Sequence, residues 1–536
     1  MKPTKKLAIL TALSLSLSVS ANAQTGLNDL FSQDYHYSWS FYGGGARAAG
    51  LGNAYTALSN DVFATSWNPA GMVDKEEIYL GFDWNTFSPK GSFDFDIDGP
   101  SPGNIDHSGG ANNFFRNVGL TAPVTIRDQK FVIGISQTRH FDTYSLFADN
   151  IFPSTPDNPD ITIERDGGVK SANFGIATRI SESFSMGVAA NVYFGDVVVE
   201  KNTIETYNNT ATGFQGTADF ELFSRELDSF KLSGFNLTIG GILEMGDNTR
   251  LALTAKTPFK MSFSNDVFSS RFATTEGGPP AKALEFPAFA IQTRTLASVE
   301  FIFSDVDSKV EIPYSLALGW AQNWGENFLT SMDVEYQSFS GSKFLILDST
   351  TITSTGRKVN VFHEEFSNWK NTLQLRAGAE YTINSRLGNI PLRTGFGILP
   401  QPYRDVADYS VSYSGLSASS GGLRIPFETT DTPGLLNTGS AYNAHRDIDI
   451  VFDNTGDQVI AYSFSLGAGL HSPQRALDVA YVYNTSTRSY TTSAGVGLPS
   501  DYDRTDPLSD LTTDNLRVSE VKSSDHKFII SFTGYF

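Results

Sequence analysis

The chain has 536 residues, a formal charge of −19, 13% aromatic residues, 47 glycines and no cysteine. That composition excludes collagen, a coiled coil and a disulfide-stapled scaffold, and the acidic balance excludes a basic nucleic-acid binder. Mean hydropathy is −0.19 and no apolar run of about 20 residues follows residue 20, so a helical membrane protein is excluded too. A soluble all-β protein or an outer-membrane β-barrel remains.

Residues 1–23 begin with Lys2, Lys5 and Lys6, continue through an apolar stretch from Leu7 to Val19, and end in Ala21-Asn22-Ala23. That order predicts a signal peptide cut before Gln24. The remaining 513 residues carry 36 basic and 58 acidic side chains, a charge of −22. With no cysteine after the cut, neither a lipid-modified cysteine nor a disulfide is expected.

Residues 24–75 show no strand periodicity. They include a run of small residues from Gly43 to Gly52, then Asn60-Asp61, then Trp67-Asn68-Pro69-Ala70-Gly71. No strand precedes the glycines and no Gly-Lys-Ser/Thr closes them, which argues against a phosphate loop. Small residues allow close backbone packing, and the segment suits a plug.

From residue 76 onward the period becomes 2. In Thr372–Tyr381 the residues Leu373, Leu375, Ala377, Ala379 and Tyr381 share one face, while Gln374, Arg376, Gly378 and Glu380 share the other. One apolar and one polar face is the pattern of a half-buried strand. Fourteen such segments are expected near 76–87, 113–121, 130–139, 172–180, 183–195, 235–243, 250–258, 313–321, 328–338, 372–381, 391–398, 461–470, 476–485 and 526–536. The links between them alternate between short ones of nine residues or fewer and long ones of 25 or more. Sorting of loop length by parity predicts an all-β, transmembrane, 14-stranded antiparallel barrel in the outer membrane of a Gram-negative bacterium. Its outer-membrane lipid neighbours would face an apolar band with aromatic girdles. The long links read as external loops. The final strand ends on Phe536, similar to the signal by which barrel-assembly machinery recognises its clients.

The residues from Ala46 to Ala57, with Asn60-Asp61 and Trp67-Asn-Pro-Ala-Gly71, resemble the N-terminal hatch of the FadL-type family of outer-membrane transporters. Ala122-Pro-Val-Thr with Phe131–Ile135, Ile312–Gly319 with Asp333–Tyr336, Arg376–Tyr381 with Leu392–Phe396, and Phe464–Gly469 with Leu477–Tyr481 follow in the family's order. That family carries long-chain fatty acids and, in some members, aromatic hydrocarbons. The resemblance implies a hatch over 24–75 inside a barrel over 76–536, with Asn68, Pro69 and Ala70 in the lumen holding the hatch. It implies a hydrophobic small-molecule ligand and a kinked third strand near 130–139 that opens a lateral gap; separately, no cofactor is expected and the chain is read as a monomer. Gly134 could ease that kink. A family-related barrel that shuttles or binds proteins at the cell surface is the alternative, favoured by long links that hold more than half of the mature chain.

Inward-facing charges cluster on neighbouring strands: Asp333, Glu335, Arg376, Glu380, Arg393 and Asp478. Mutual pairing and pairing with the hatch is the favoured reading. Arg376 or Arg393 as a partner for a ligand carboxylate is the sharper one. Asp94-x-Asp96-x-Asp98-Gly99 opens like a calcium loop, but Ile105 stands where the bidentate Glu belongs, so a solvated loop is favoured and no metal is expected. No Gly-x-Ser-x-Gly or His-Glu-x-x-His occurs and no histidines have metal-ligand spacing, so an enzyme is not expected.

Overall fold

The computed structural model describes residues 42–97, 103–108, 112–142, 145–150, 160–207, 220–275, 299–352, 358–366, 369–405, 408–414, 447–453, 456–489 and 516–536. The expected signal peptide, residues 1–23, and the first part of the expected hatch, residues 24–41, lie outside them.

Fourteen antiparallel strands form a closed barrel. They are β1 Tyr79–Ile97, β2 Asn112–Ile126, β3 Gln129–Asp142, β4 Asp160–Ser181, β5 Phe184–Tyr207, β6 Phe220–Met245 and β7 Thr249–Lys256. The second half is β8 Ser315–Asn323, β9 Phe328–Gln337, β10 Thr372–Ser385, β11 Gly388–Arg404, β12 Gln458–His471, β13 Arg475–Ser489 and β14 Leu516–Tyr535. Each expected segment corresponds to one strand. β1 pairs with β14 from Tyr79–Tyr535 to Ile97–Leu516, which closes the sheet and leaves no edge in the membrane. Ile78 and Phe536 exchange backbone hydrogen bonds of 3.1 and 2.9 Å at the same rim as the short turns.

The alternation holds in three dimensions. On β10, Leu373 and Tyr381 are 53% and 51% exposed, whereas Gln374, Arg376 and Glu380 are buried. The outward set is a band of Leu, Ile, Val, Phe, Trp and Tyr, as hydrocarbon requires.

The long links differ from the expectation of loops. β1, β4, β5 and β6 run well past the apolar band, and further strands occupy Gly103–Ser108, Ser145–Asn150, Phe259–Thr275, Val299–Ile312, Lys343–Ile352, Lys358–Phe366, Asp408–Ser414 and Asp447–Asp453. Above the lipid neither face must be apolar, so the period-2 signal fades while backbone ladders continue. Asp94 and Asp96 belong to β1, laddered opposite Glu520 and Arg517. That stretch is extended strand and not the tight turn a calcium loop needs, and Asp98 lies outside the described residues.

Tyr42–Lys75 lies within the barrel. It forms one short helix, α1 (Ala46–Gly50), and two 3-10 turns, Ala64–Ser66 and Pro69–Asp74. Ten of the fourteen strands place an inward glycine against it. A Cβ on Gly119 would lie 2.5 Å from the Val62 carbonyl oxygen, and one on Gly378 would lie 2.5 Å from that of Leu51. One on Gly395 would overlap the backbone of Gly52. The wall and the segment approach backbone to backbone, which only glycine permits.

Candidate functional site

Three features stack inside the barrel. The lowest is the seat of the N-terminal segment. Asn68 caps the second 3-10 turn, its Oδ1 accepting from the Ala70 N–H at 3.1 Å, with Pro69 at the first position of the turn. Its amide donates to the carbonyls of Thr56 at 3.1 Å and Gly241 on β6 at 3.3 Å. Pro69 lies against Gly187 of β5. Asn-Pro-Ala is thus a turn whose one polar side chain ties the segment to the wall.

Charges tie the rest. Arg47 grips Glu380 in a fork, Nε to Oε2 at 3.0 Å and Nη2 to Oε1 at 3.1 Å. Arg393 reaches the same Glu380 at 2.5 Å and Asp478 at 2.6 Å, and His471 contacts Asp478 at 2.9 Å. Asp333 Oδ2 accepts from the Tyr55 and Thr56 backbone N–H groups and the Thr56 hydroxyl at 2.7–2.9 Å. Arg376 holds Glu335 at 2.8 Å and lies 3.7 Å from Asp333. Near the rim, Asp74 meets Arg179 and Arg250, each at 3.1 Å, and both arginines also pair with Glu244. Within the segment, burial pushes the Asp61 carboxyl up, with Tyr55 donating to it at 3.0 Å. Burial lowers the Lys75 ammonium to about 8.

The second feature is a seam between β2 and β3. Their ladder stops at Val118–Gln137, although β2 reaches back to Asn112 and β3 runs on to Asp142. Each strand carries a register shift here, β2 at Arg116 and β3 at His140. Side chains replace the missing ladder. Asn117 Oδ1 accepts from the Arg139 N–H at 2.9 Å, and Arg116 Nε donates to the Arg139 carbonyl at 3.2 Å. His140 sits between segment and wall, with Nδ1 2.9 Å from the Tyr42 carbonyl and Nε2 2.8 Å from Ser171 Oγ.

The third is an apolar cluster above the segment, built from inward residues of β4, β5 and β6, the strands that follow, and Phe339 and Trp369. Tyr193 and Phe259 stack at 4.6 Å and 7°, and Phe339 meets Trp369 edge-on at 5.6 Å.

A family model described as outer membrane protein transport protein (OMPP1/FadL/TodX) matches residues 39–412. The chain belongs to this family. No curated protein matches it in sequence. Among solved structures, the Pseudomonas putida toluene transporter TodX is 13% identical, with 93% of this chain and 99% of that chain covered at a TM-score of 0.49. A Pseudomonas aeruginosa FadL homologue is 15% identical over 92% and 98%, at 0.48. The CymD monoaromatic hydrocarbon channel is 12% identical over 93% and 98%, at 0.46. Membership in the FadL/TodX family makes this an outer-membrane transport protein for hydrophobic compounds.

Within this FadL/TodX barrel, the six inward charges meet in two networks, and both include the N-terminal segment. Arg376 and Arg393 are therefore engaged with carboxylates of the chain itself. Gly134 is laddered without interruption to Thr121 and Gly175, and the irregularity of β3 lies at Arg139–Phe141 instead. A Cβ at Gly134 would sit 2.6 Å from Met72 Sδ, so this glycine makes room for the segment. Sequence reasoning missed Arg47, His140 and Asn117. Arg47 is the one charge in a run of small residues, a signal that was open to notice. Bulges at Arg116 and His140 leave no mark in the alternation. Among the described residues, no group of three or more acidic or histidine side chains is poised for a metal.

Proposed function

We propose that the chain takes up hydrophobic small molecules, long-chain fatty acids or similar compounds, with the N-terminal segment as hatch and the β2–β3 seam as lateral exit. One observation carries the reading: just above Val118–Gln137 the β2–β3 ladder gives way to side-chain bridges, and the hatch residue Tyr42 touches the seam through His140. Side-chain bridges can part without dismantling a ladder. Capture rests on the apolar cluster, because burial supplies about 0.8 kcal/mol per CH₂ and a net acidic chain does not steer anions. Arg116 and Arg139 at the seam suit a cargo with a carboxylate head. The relatives named for toluene or monoaromatic hydrocarbons favour neutral aromatic cargo as the other member of the class. The barrel acts as a single chain, transports rather than catalyses, and is delivered by barrel-assembly machinery that reads Phe536.

Deletion of the gene followed by uptake assays with fatty acids of graded length and monoaromatic hydrocarbons tests this. Loss of uptake for one class, restored by the intact chain, supports the reading and names the cargo. Unchanged uptake of every compound refutes it.

A further inference from the structure

A second interruption of the wall lies four strands round the barrel from the β2–β3 seam. The β6–β7 ladder runs from Met245–Thr249 to Thr238–Lys256 and resumes above only at Ser233–Ser262. Four β6 residues, 234–237, thus face five residues, 257–261, on the other side. Pro258 has no N–H to donate. Thr257 bridges the interval, exchanging hydrogen bonds with the Leu237 backbone at 2.9 and 3.0 Å, and its carbonyl accepts from the Asn236 amide at 3.4 Å. The next strand breaks at the same level. Pro313 and Tyr314 separate the pair Phe259–Ile312 from Lys256–Ser315.

The facing sides flip across this level, as one extra residue in a strand demands. Below it Ala252 and Thr254 are buried, and above it Met261 and Phe263 are. On the uninterrupted β6, buried residues keep one parity from Phe230 to Ile242. The break is therefore a paired bulge, and such bulges end ladder pairing locally.

Its two sides are both apolar. Outside stands Phe235, 54% exposed, at the top of a β6 outer face that continues through Leu237, Ile239 and Leu243 to Met245. Ten residues of tilted strand rise about 25 Å, the height of the apolar band, so the break sits at the outer-leaflet boundary. Inside, Phe259 crosses the position of Gly234 to stack on Tyr193, which is the β5 ladder partner of Gly234. A Cβ on Gly234 would lie 2.8 Å from the Phe259 ring. The absent side chain at 234 gives the ring its place, and the ring closes the inner mouth.

We propose that the β6–β7 break is a second side portal, through which apolar molecules dissolved in the outer leaflet reach the aromatic cluster, with Phe259 as its shutter. The proposal rests on the uptake reading. It adds a way in from the membrane four strands away from the exit.

The natural chain has no cysteine, so Phe259→Cys supplies a single thiol at the shutter. The intact variant barrel, reconstituted in vesicles, is treated with a maleimide confined to the bilayer or with a charged, water-soluble one. The portal requires several-fold faster modification by the bilayer reagent, while Leu232→Cys, buried beside it on laddered β6, stays protected. Modification only from water, or by neither reagent in a folded barrel, overturns the portal. If Phe259→Cys does not fold, Thr257→Cys is read in the same way. Labelling needs no cargo movement, so the two readings fail separately. Bilayer labelling in a barrel without uptake sinks the uptake reading alone, and uptake by a barrel that never labels from the bilayer sinks the portal alone.

Discussion

The lower and upper halves of the lumen share strands β4, β5 and β6, yet their inward faces have opposite chemistry. Below, the wall is glycine, Asp, Glu, Arg and Ser, fitted to a folded segment. Above, it is Val, Leu, Met, Phe and Tyr, a cluster that among the described residues includes none of the segment. Alternation decides which residues point inward. What they are decides whether the lumen holds a permanent polypeptide or a passing apolar molecule. Permanence calls for backbone fit and saturated charge pairs, and passage calls for surface without fixed partners.

The largest break in that comparison comes from Arg393→Ala, which leaves Glu380 and Asp478 buried without their shared partner. Removing one member of a buried pair costs about 3–5 kcal/mol, and chemical denaturation followed by gel mobility of the folded barrel should register it. Gly395→Val attacks the fit instead of the charge. Overpacking costs about 1–3 kcal/mol, and the unseated segment should raise ion conductance in planar bilayers. A glycine variant that conducts no more than the parent would show that the seat is not what closes the lumen.

In the upper half, Val310→Thr buries a hydroxyl at a cost of about 1–3 kcal/mol. It should weaken retention of an apolar fluorophore without changing conductance, a separation the lower-half variants should not show. Asp74→Asn removes a half-exposed bridge to Arg179 and Arg250. Such pairs contribute about 1 kcal/mol or less, so the loss should be small and vanish in high salt.

The last effect is one of pH. Lys75 is held down at about 8 by burial, against about 10.4 in an unfolded chain. Between those values the unfolded chain binds more protons, so stability rises with pH across that window. Lys75→Met should abolish the rise, as read from denaturation midpoints at either end of it. Asp61, pushed up by burial, acts in the opposite sense, lowering stability as pH climbs past the ordinary carboxylate range.

Much of the barrel was legible because lipid enforces alternation. Leu373 and Tyr381 against Arg376 and Glu380 could face no other way. The extensions past the membrane were not legible, since Phe259–Thr275 and Val299–Ile312 ladder with neighbours under no such constraint. Inward charges were found by parity, but their partners were not. Asp333 is satisfied by backbone N–H groups of Tyr55 and Thr56, and N–H groups carry no sequence signal. Gly134 was read for its freedom and proved to matter for its lack of a Cβ. Pro258 and Pro313 ended and began their expected segments, although the gap they open needed the register of β6 to be seen.

The measurement that tests the transport route most directly is uptake through a barrel whose β2–β3 seam is locked. Asn117→Cys with Arg139→Cys, in a chain otherwise free of cysteine, places a reducible bridge where side chains now span the strands. Lateral exit requires that uptake of the identified cargo fall to background on oxidation and return on reduction. Undiminished uptake by the fully oxidised barrel would contradict it.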